Sequence, residues 1–117
     1  MTRVAMTVRI VPELIEEYKQ YHRNVWPEIE AKQRENGFGN TSIFLCGDSL
    51  FLYQEYNGSR PIEEALADYA ADAKCQEWEQ LMSKYQLPSP NALPGLRWAP
   101  LEEIYHLDDQ PAEKVSK

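Results

Sequence analysis

The apolar residues change period within the first thirty positions. Val4, Met6, Val8 and Ile10 alternate with Ala5, Thr7 and Arg9, the period-two pattern of a strand with one buried face. From Leu14 onward the spacing becomes three and four, through Tyr18, Tyr21, Val25 and Ile29. That spacing predicts a helix over about 12–35, opened by Pro12 and stopped by Gly37 and Gly39. Pro27 lies inside the pattern, removes a backbone donor and disfavours helical geometry at Trp26, so a kink or break is expected near 26.

The remaining chain extends the alternation of strand and helix. TSIFLCGDSLFLYQEY is two apolar runs around Cys46-Gly47-Asp48-Ser49, a composition that makes tight turns, and reads as a hairpin. After Asn57-Gly58-Ser59-Arg60-Pro61, apolar positions Ile62, Ala65, Leu66 and Tyr69 predict a helix over about 61–73. Cys75, Trp78, Leu81, Met82 and Tyr85 predict a second short helix, or a continuation, over about 74–85. LPSPNALPGLRWAP carries four prolines and a glycine and reads as a surface loop. LEEIYHL reads as a last short strand. The order is strand, helix, strand, strand, helix or helices, strand: the α+β, ferredoxin-like βαββαβ arrangement, with an antiparallel sheet covered by helices on one face. We expect one such domain over 1–107, the chain being too short for two ordinary domains, and a polar, disordered tail over 108–117. Apolar residues on the uncovered face would need a second copy of the chain, or would form a pocket there.

Composition narrows the function classes. Hydrophobic residues make up 43% and charged residues 26%, which suits a folded domain. A formal net charge of −7 disfavours nucleic acid and anionic membrane, whose binding draws on clustered Lys and Arg. Arginines interrupt the N-terminus where a signal peptide needs an apolar run, and no stretch approaches the roughly 20 apolar residues of a membrane span; the expected location is cytoplasmic. Cys46 and Cys75 fit no metal-ligand spacing and read as small, buried or half-buried residues.

YKQYHRNVWPEIE, residues 18–30, holds the main candidate for chemistry. Tyr18, His22 and Trp26 recur at steps of four and would share one stripe of a helix. Such a stripe can wall a pocket, or it can be an amphipathic packing face with a hydrogen-bonded histidine at its edge. No phosphate loop, metal-spaced histidine pair or nucleophile elbow competes. His106 reads as a half-exposed strand residue, and Glu16-Glu17 and Glu63-Glu64 as solvated helix surface.

EEYKQYHRNVWPEIEA at 16–31, Asn40, CQEWEQLM at 75–82 and LEEIYHL at 101–107 together resemble, in order and spacing, the L-rhamnose mutarotase family. The resemblance covers about residues 3–107, and Tyr-x3-His-x3-Trp-Pro-Glu is its most specific part. It implies a dimeric α/β barrel of ferredoxin-like protomers and an isomerase acting on the anomeric carbon of a 6-deoxyhexose, without metal or cofactor. It implies His22 as the catalytic acid and Tyr18 as a substrate-binding phenol. The sugar-binding set would also include Thr41, Trp78 and Glu79, where family members typically carry a tyrosine and a Trp-Trp pair. L-rhamnose is the first expectation for the sugar, and the altered stacking and hydrogen bonding at Thr41 and Glu79 make L-fucose the second. Trp26 would offer an apolar wall to sugar C–H groups or lock the helix at Pro27. Glu79 would bind hydroxyls or face solvent.

Mutarotation needs a group that both takes and gives a proton, and histidine, with an unperturbed pKa near 6.5, exists in both forms around neutrality. Two other readings keep the fold: an α/β-barrel monooxygenase or isomerase acting on an apolar substrate, and a non-catalytic binding module. An apolar pocket without Glu79 would favour the first of these. A buried, satisfied His22 would favour the second.

Overall fold

The computed structural model describes residues 1–112. Its alternating N-terminus forms β1 (Thr2–Ile10), which passes through a single 3-10 turn at Pro12–Leu14 into α1 (Ile15–Arg23). The helix then breaks, and α2 (Pro27–Glu35) restarts with Pro27 in its first turn. The break is the one expected from Pro27: Trp26 sits at ψ 129°, in extended rather than helical backbone.

The expected hairpin follows as β2 (Phe38–Cys46) and β3 (Ser49–Tyr56). Cys46 at its tip is exposed rather than buried or half-buried, because the strand runs past the edge of the core there, whereas Cys75 is buried. The second helical region is two helices, α3 (Ile62–Ala71) and α4 (Ala73–Ser83). They are separated at Asp72, whose backbone turns extended and whose carboxylate accepts from the Cys75 N–H at 2.9 Å. An aspartate that caps the next helix satisfies donors left orphaned at its first turn.

All strand pairs are antiparallel, in the order β2-β3-β1 with the fourth position beyond β1. That fourth position corrects the sequence reading. It is occupied not by 101–107 but by two collinear two-residue pieces, β4 (Gln86–Leu87) opposite Ile10 and Arg9, and β5 (Ala99–Pro100) opposite Thr7 and Met6. Residues 88–98 leave the sheet between them. LEEIYHL has the strand composition, but it forms no strand: it lies beside the start of β1, where Leu101 N–H donates to the Ala5 carbonyl at 2.9 Å, and Ile104 is 89% exposed. Arg3 ties this segment down, donating to both carboxylate oxygens of Glu103 at 2.7 and 2.9 Å and to Asp109 at 2.8 Å. The first residues of the expected tail are therefore attached, in a 3-10 turn at Leu107–Asp109; residues 113–117 lie outside the described residues.

The helices cover one face of the sheet, and the core gathers there. Val8, Ile10, Ile29, Cys75 and Tyr85 are at most 1% exposed. Side chains alternate across a strand, so Arg3, Ala5, Thr7 and Arg9 of β1, opposite Glu55, Tyr53, Phe51 and Ser49 of β3, present the other face. There Phe44 pairs with Phe51, and these rings are 62% and 39% exposed.

Gly37 ends α2 with φ at +92°, and a Cβ there would lie 2.7 Å from the Gly58 nitrogen. The close approach is used, since Asn57 N–H donates to the Gly37 carbonyl at 2.8 Å. Gly37→Ala is expected to destabilise the fold by about 2 kcal/mol or more, because it combines left-handed backbone strain with a backbone clash. Urea unfolding would show it as a lower midpoint at unchanged slope.

Candidate active site

Between the helices and the covered face of the sheet lies a cavity of about 460 Å³, within the roughly 300–1,000 Å³ usual for small-molecule sites. Met6, Leu52 and Gln54 from the sheet contribute to its lining. The face left bare by the helices is not where this cavity lies: it opens on the helix side.

α1 brings Tyr18 and His22 to the cavity one turn apart. Their rings stack, with centroids 4.2 Å apart and planes at 27°. His22 Nδ1 lies 2.9 Å from the Tyr18 backbone carbonyl. A carbonyl oxygen only accepts, so in the neutral ring Nδ1 carries the proton and the lone pair sits on Nε2. Tyr18 is 4% exposed, and burial raises the pKa of its phenol above the ordinary tyrosine value. Near neutrality the hydroxyl keeps its proton.

α4 supplies Trp78 and Glu79. Trp78 stands edge-on to His22 at 5.7 Å between ring centroids. Glu79 is held at both oxygens: Tyr69 donates to one at 3.0 Å and Arg97 to the other at 3.3 Å. Burial, and then the adjacent carboxylate, push the Tyr69 phenol well up. Its hydroxyl therefore remains a donor to Glu79.

Thr41 reaches the lining through a defect in β2. The pairing with β3 shifts register between Gly39 and Ser42, and Asn40 sits at φ +47°, its side-chain amide donating to Glu55 at 3.0 Å. A bulge of this kind re-aims a side chain, and asparagine tolerates the left-handed conformation better than most residues.

Trp26 alone among the proposed site residues does not line the cavity. α1 ends at Arg23, so the helical stripe stops at His22, and Trp26 is carried behind Trp78, in an edge contact at 5.1 Å. The Lys74 ammonium lies over the Trp26 ring, 4.7 Å from its centroid. Its position is that of a packing residue that braces Trp78.

The lining also includes polar and aromatic residues that sequence patterning does not single out, among them Gln86 from β4, Trp98 from the 88–98 loop, and Gln54 from β3. Arg97, beside Trp98, bonds to Gln86 at 2.7 Å as well as to Glu79. The loop thus closes over its own chain's cavity. An Arg-Trp pair inside a stretch of prolines and small residues was the one available signal. Among the described residues no cluster of three or more His, Cys, Asp or Glu side chains could hold a metal ion, and no helix is long and apolar enough to cross a membrane.

A family model described as L-rhamnose mutarotase matches residues 3–107. The chain belongs to the L-rhamnose mutarotase family. Among relatives, an L-rhamnose mutarotase of Listeria monocytogenes is 34% identical over 110 residues, covering 92% of this chain and 99% of that protein. An L-fucose mutarotase of Xanthomonas campestris is 33% identical over 102 residues, covering 82% of this chain and 78% of that protein. A UPF0734 protein of Dictyostelium discoideum is 37% identical over 100 residues, covering 82% and 80%. The crystal structure of the L-rhamnose mutarotase FA22100 from Formosa agariphila superposes with a TM-score of 0.72 at 24% identity, over 92% of this chain and 99% of that one, which bears out the ferredoxin-like fold. Membership of the L-rhamnose mutarotase family makes the chain a sugar mutarotase, an isomerase of the anomeric carbon.

Proposed function

We propose that the protein interconverts the α and β anomers of a 6-deoxyhexose, L-rhamnose first and L-fucose second, with His22 carrying the proton. The observation that supports this reading best is the bond from His22 Nδ1 to the Tyr18 carbonyl, which leaves Nε2 as a base on a residue that lines the cavity. In the forward step Nε2 takes the proton of the anomeric hydroxyl, the C1–O1 double bond forms, and the bond from C1 to the ring oxygen breaks. The imidazolium returns the proton to that oxygen. Rotation about C1–C2 presents the other face of the aldehyde, and the same steps run backward to the other anomer. A positioned acid or base contributes roughly 10²- to 10⁴-fold.

Trp78 would stack on the sugar's C–H face, while Thr41 and Glu79 would bind its hydroxyls. Glu79 in the lining favours a polyol over the apolar substrates of other α/β-barrel enzymes, and a cavity-lining His22 disfavours a purely structural histidine. Saturation-transfer NMR on L-rhamnose and L-fucose in parallel tests the assignment. Accelerated anomer exchange of at least one sugar is expected; exchange at the solvent rate for both would refute it.

The working unit we propose is a homodimer. The exposed Phe44 and Phe51 on the open sheet face, with Ile104 at 89% exposed and Leu107 at 69% in the 3-10 turn that follows it, support it as apolar surface that a second copy would cover. Sedimentation equilibrium should give twice the chain mass at micromolar concentration, and a monomer there would contradict it.

A further inference from the structure

The hydrogen bonds behind Tyr18 run in one direction. Arginine has five donors and no acceptor, so the Gln86 atom 2.7 Å from Arg97 Nε must be the amide oxygen. That contact decides which way the amide faces. Its nitrogen then lies at the opposite end, 3.3 Å from the Tyr18 hydroxyl, where it can only donate. The phenol oxygen accepts this bond, and its own proton has to point elsewhere. Gln86 is only 6% exposed, so no bulk water competes to turn the amide round, and Glu79 anchors Arg97 from the other side.

We propose that Arg97 and Gln86 are positioning residues that make the Tyr18 hydroxyl a donor to the substrate's ring oxygen. The proposal rests on the mutarotase reading and deepens it. Without Arg97 the amide could turn over, the phenol would donate to it, and the sugar would meet two acceptors, the phenol oxygen and His22 Nε2. With Arg97 in place the two stacked rings are complementary, one a donor and one an acceptor. Hemiacetal opening needs this pair. The acceptor removes the proton from O1, and the donor stabilises charge on the ring oxygen while the bond to C1 breaks and before the imidazolium delivers the proton. Atoms and protons balance with no further reactant.

Two measurements test it. The first needs no sugar: in ¹⁵N spectra the Gln86 side-chain amide, identified by its absence in Gln86→Glu, should shift in Tyr18→Phe, which keeps the ring and removes only the hydroxyl. An unmoved signal would overturn the proposal even if the protein proved inactive on every sugar. The second is a double-mutant cycle on anomer exchange. Gln86→Glu offers an acceptor to both Arg97 and Tyr18 and turns the phenol's proton away from the cavity, so kcat should fall roughly tenfold, about one hydrogen bond's worth, with KM little changed. In the Tyr18→Phe background the same substitution should cost nothing more. Additive losses would mean that Gln86 acts by some route other than Tyr18. Should Gln86→Glu fail to fold, Arg97→Met releases the amide from a partly exposed position and enters the same cycle. Wild-type protein without exchange on any 6-deoxyhexose would sink the mutarotase reading, while the amide shift would still decide the direction of the bonds.

Discussion

His22→Ala is expected to bring anomer exchange down to the solvent background, a loss of roughly 10²- to 10⁴-fold in kcat. The expected size follows from the absence of a substitute. Tyr18 keeps its proton because burial raises its pKa, so it is a poor base near neutrality, and Glu79 has both oxygens engaged by Tyr69 and Arg97. The alanine also removes the ring stacked on Tyr18 at 4.2 Å, so thermal unfolding of the variant has to accompany the kinetics. A folded variant with wild-type exchange would refute a proton-carrying role for this histidine.

Glu79→Ala should act on binding instead. An ionised acceptor for sugar hydroxyls contributes about 1.5–3 kcal/mol, so KM should rise roughly 10- to 100-fold while kcat changes much less, the pattern of an interaction made equally in ground and transition states. The ion pair with Arg97 adds little of its own, since both side chains retain solvent access and such pairs are weak. Titration of the favoured sugar by calorimetry would separate this outcome from a general loss of activity. Unchanged affinity would place Glu79 outside the sugar-binding set and leave its ties to Tyr69 and Arg97.

The parts of this molecule that were legible in the sequence are those governed by periodicity. The step of four from Tyr18 to His22 is a property of one continuous helix, and it puts both rings on the cavity. The same step from His22 to Trp26 crosses Asn24, where helical geometry has already ended, so the count fails and Trp26 lands behind Trp78. Pro27 announced the break but not its consequence for the tryptophan. LEEIYHL carried a strand's composition, yet beside β1 its backbone makes one bond, Leu101 N–H to the Ala5 carbonyl, while the pieces that do pair with β1 are Gln86–Leu87 and Ala99–Pro100, and pieces of two residues have no period to detect. Gln86 and Arg97 were hidden for the same reason: their meeting depends on where a proline-rich loop returns, and that is decided by ladder pairing across β1. Thr41 was reached through the family resemblance, while the bulge that aims it depends on a register shift that local composition does not encode.

The interruption of the fourth strand gives the binding site a modular boundary. Leu87 pairs with Arg9 and Ala99 with Thr7, so the chain departs from and rejoins the sheet within two residues of the same neighbour, roughly 7 Å along the strand. A segment anchored so closely at both ends can be lengthened, shortened or exchanged for little closure entropy, and its neighbours in the ladder need not shift. Recognition can therefore diversify in that segment while the imidazole and phenol on α1 stay where they are. One scaffold can in this way serve several sugars, and grafting residues 88–98 between relatives is the economical route to moving preference from one to another.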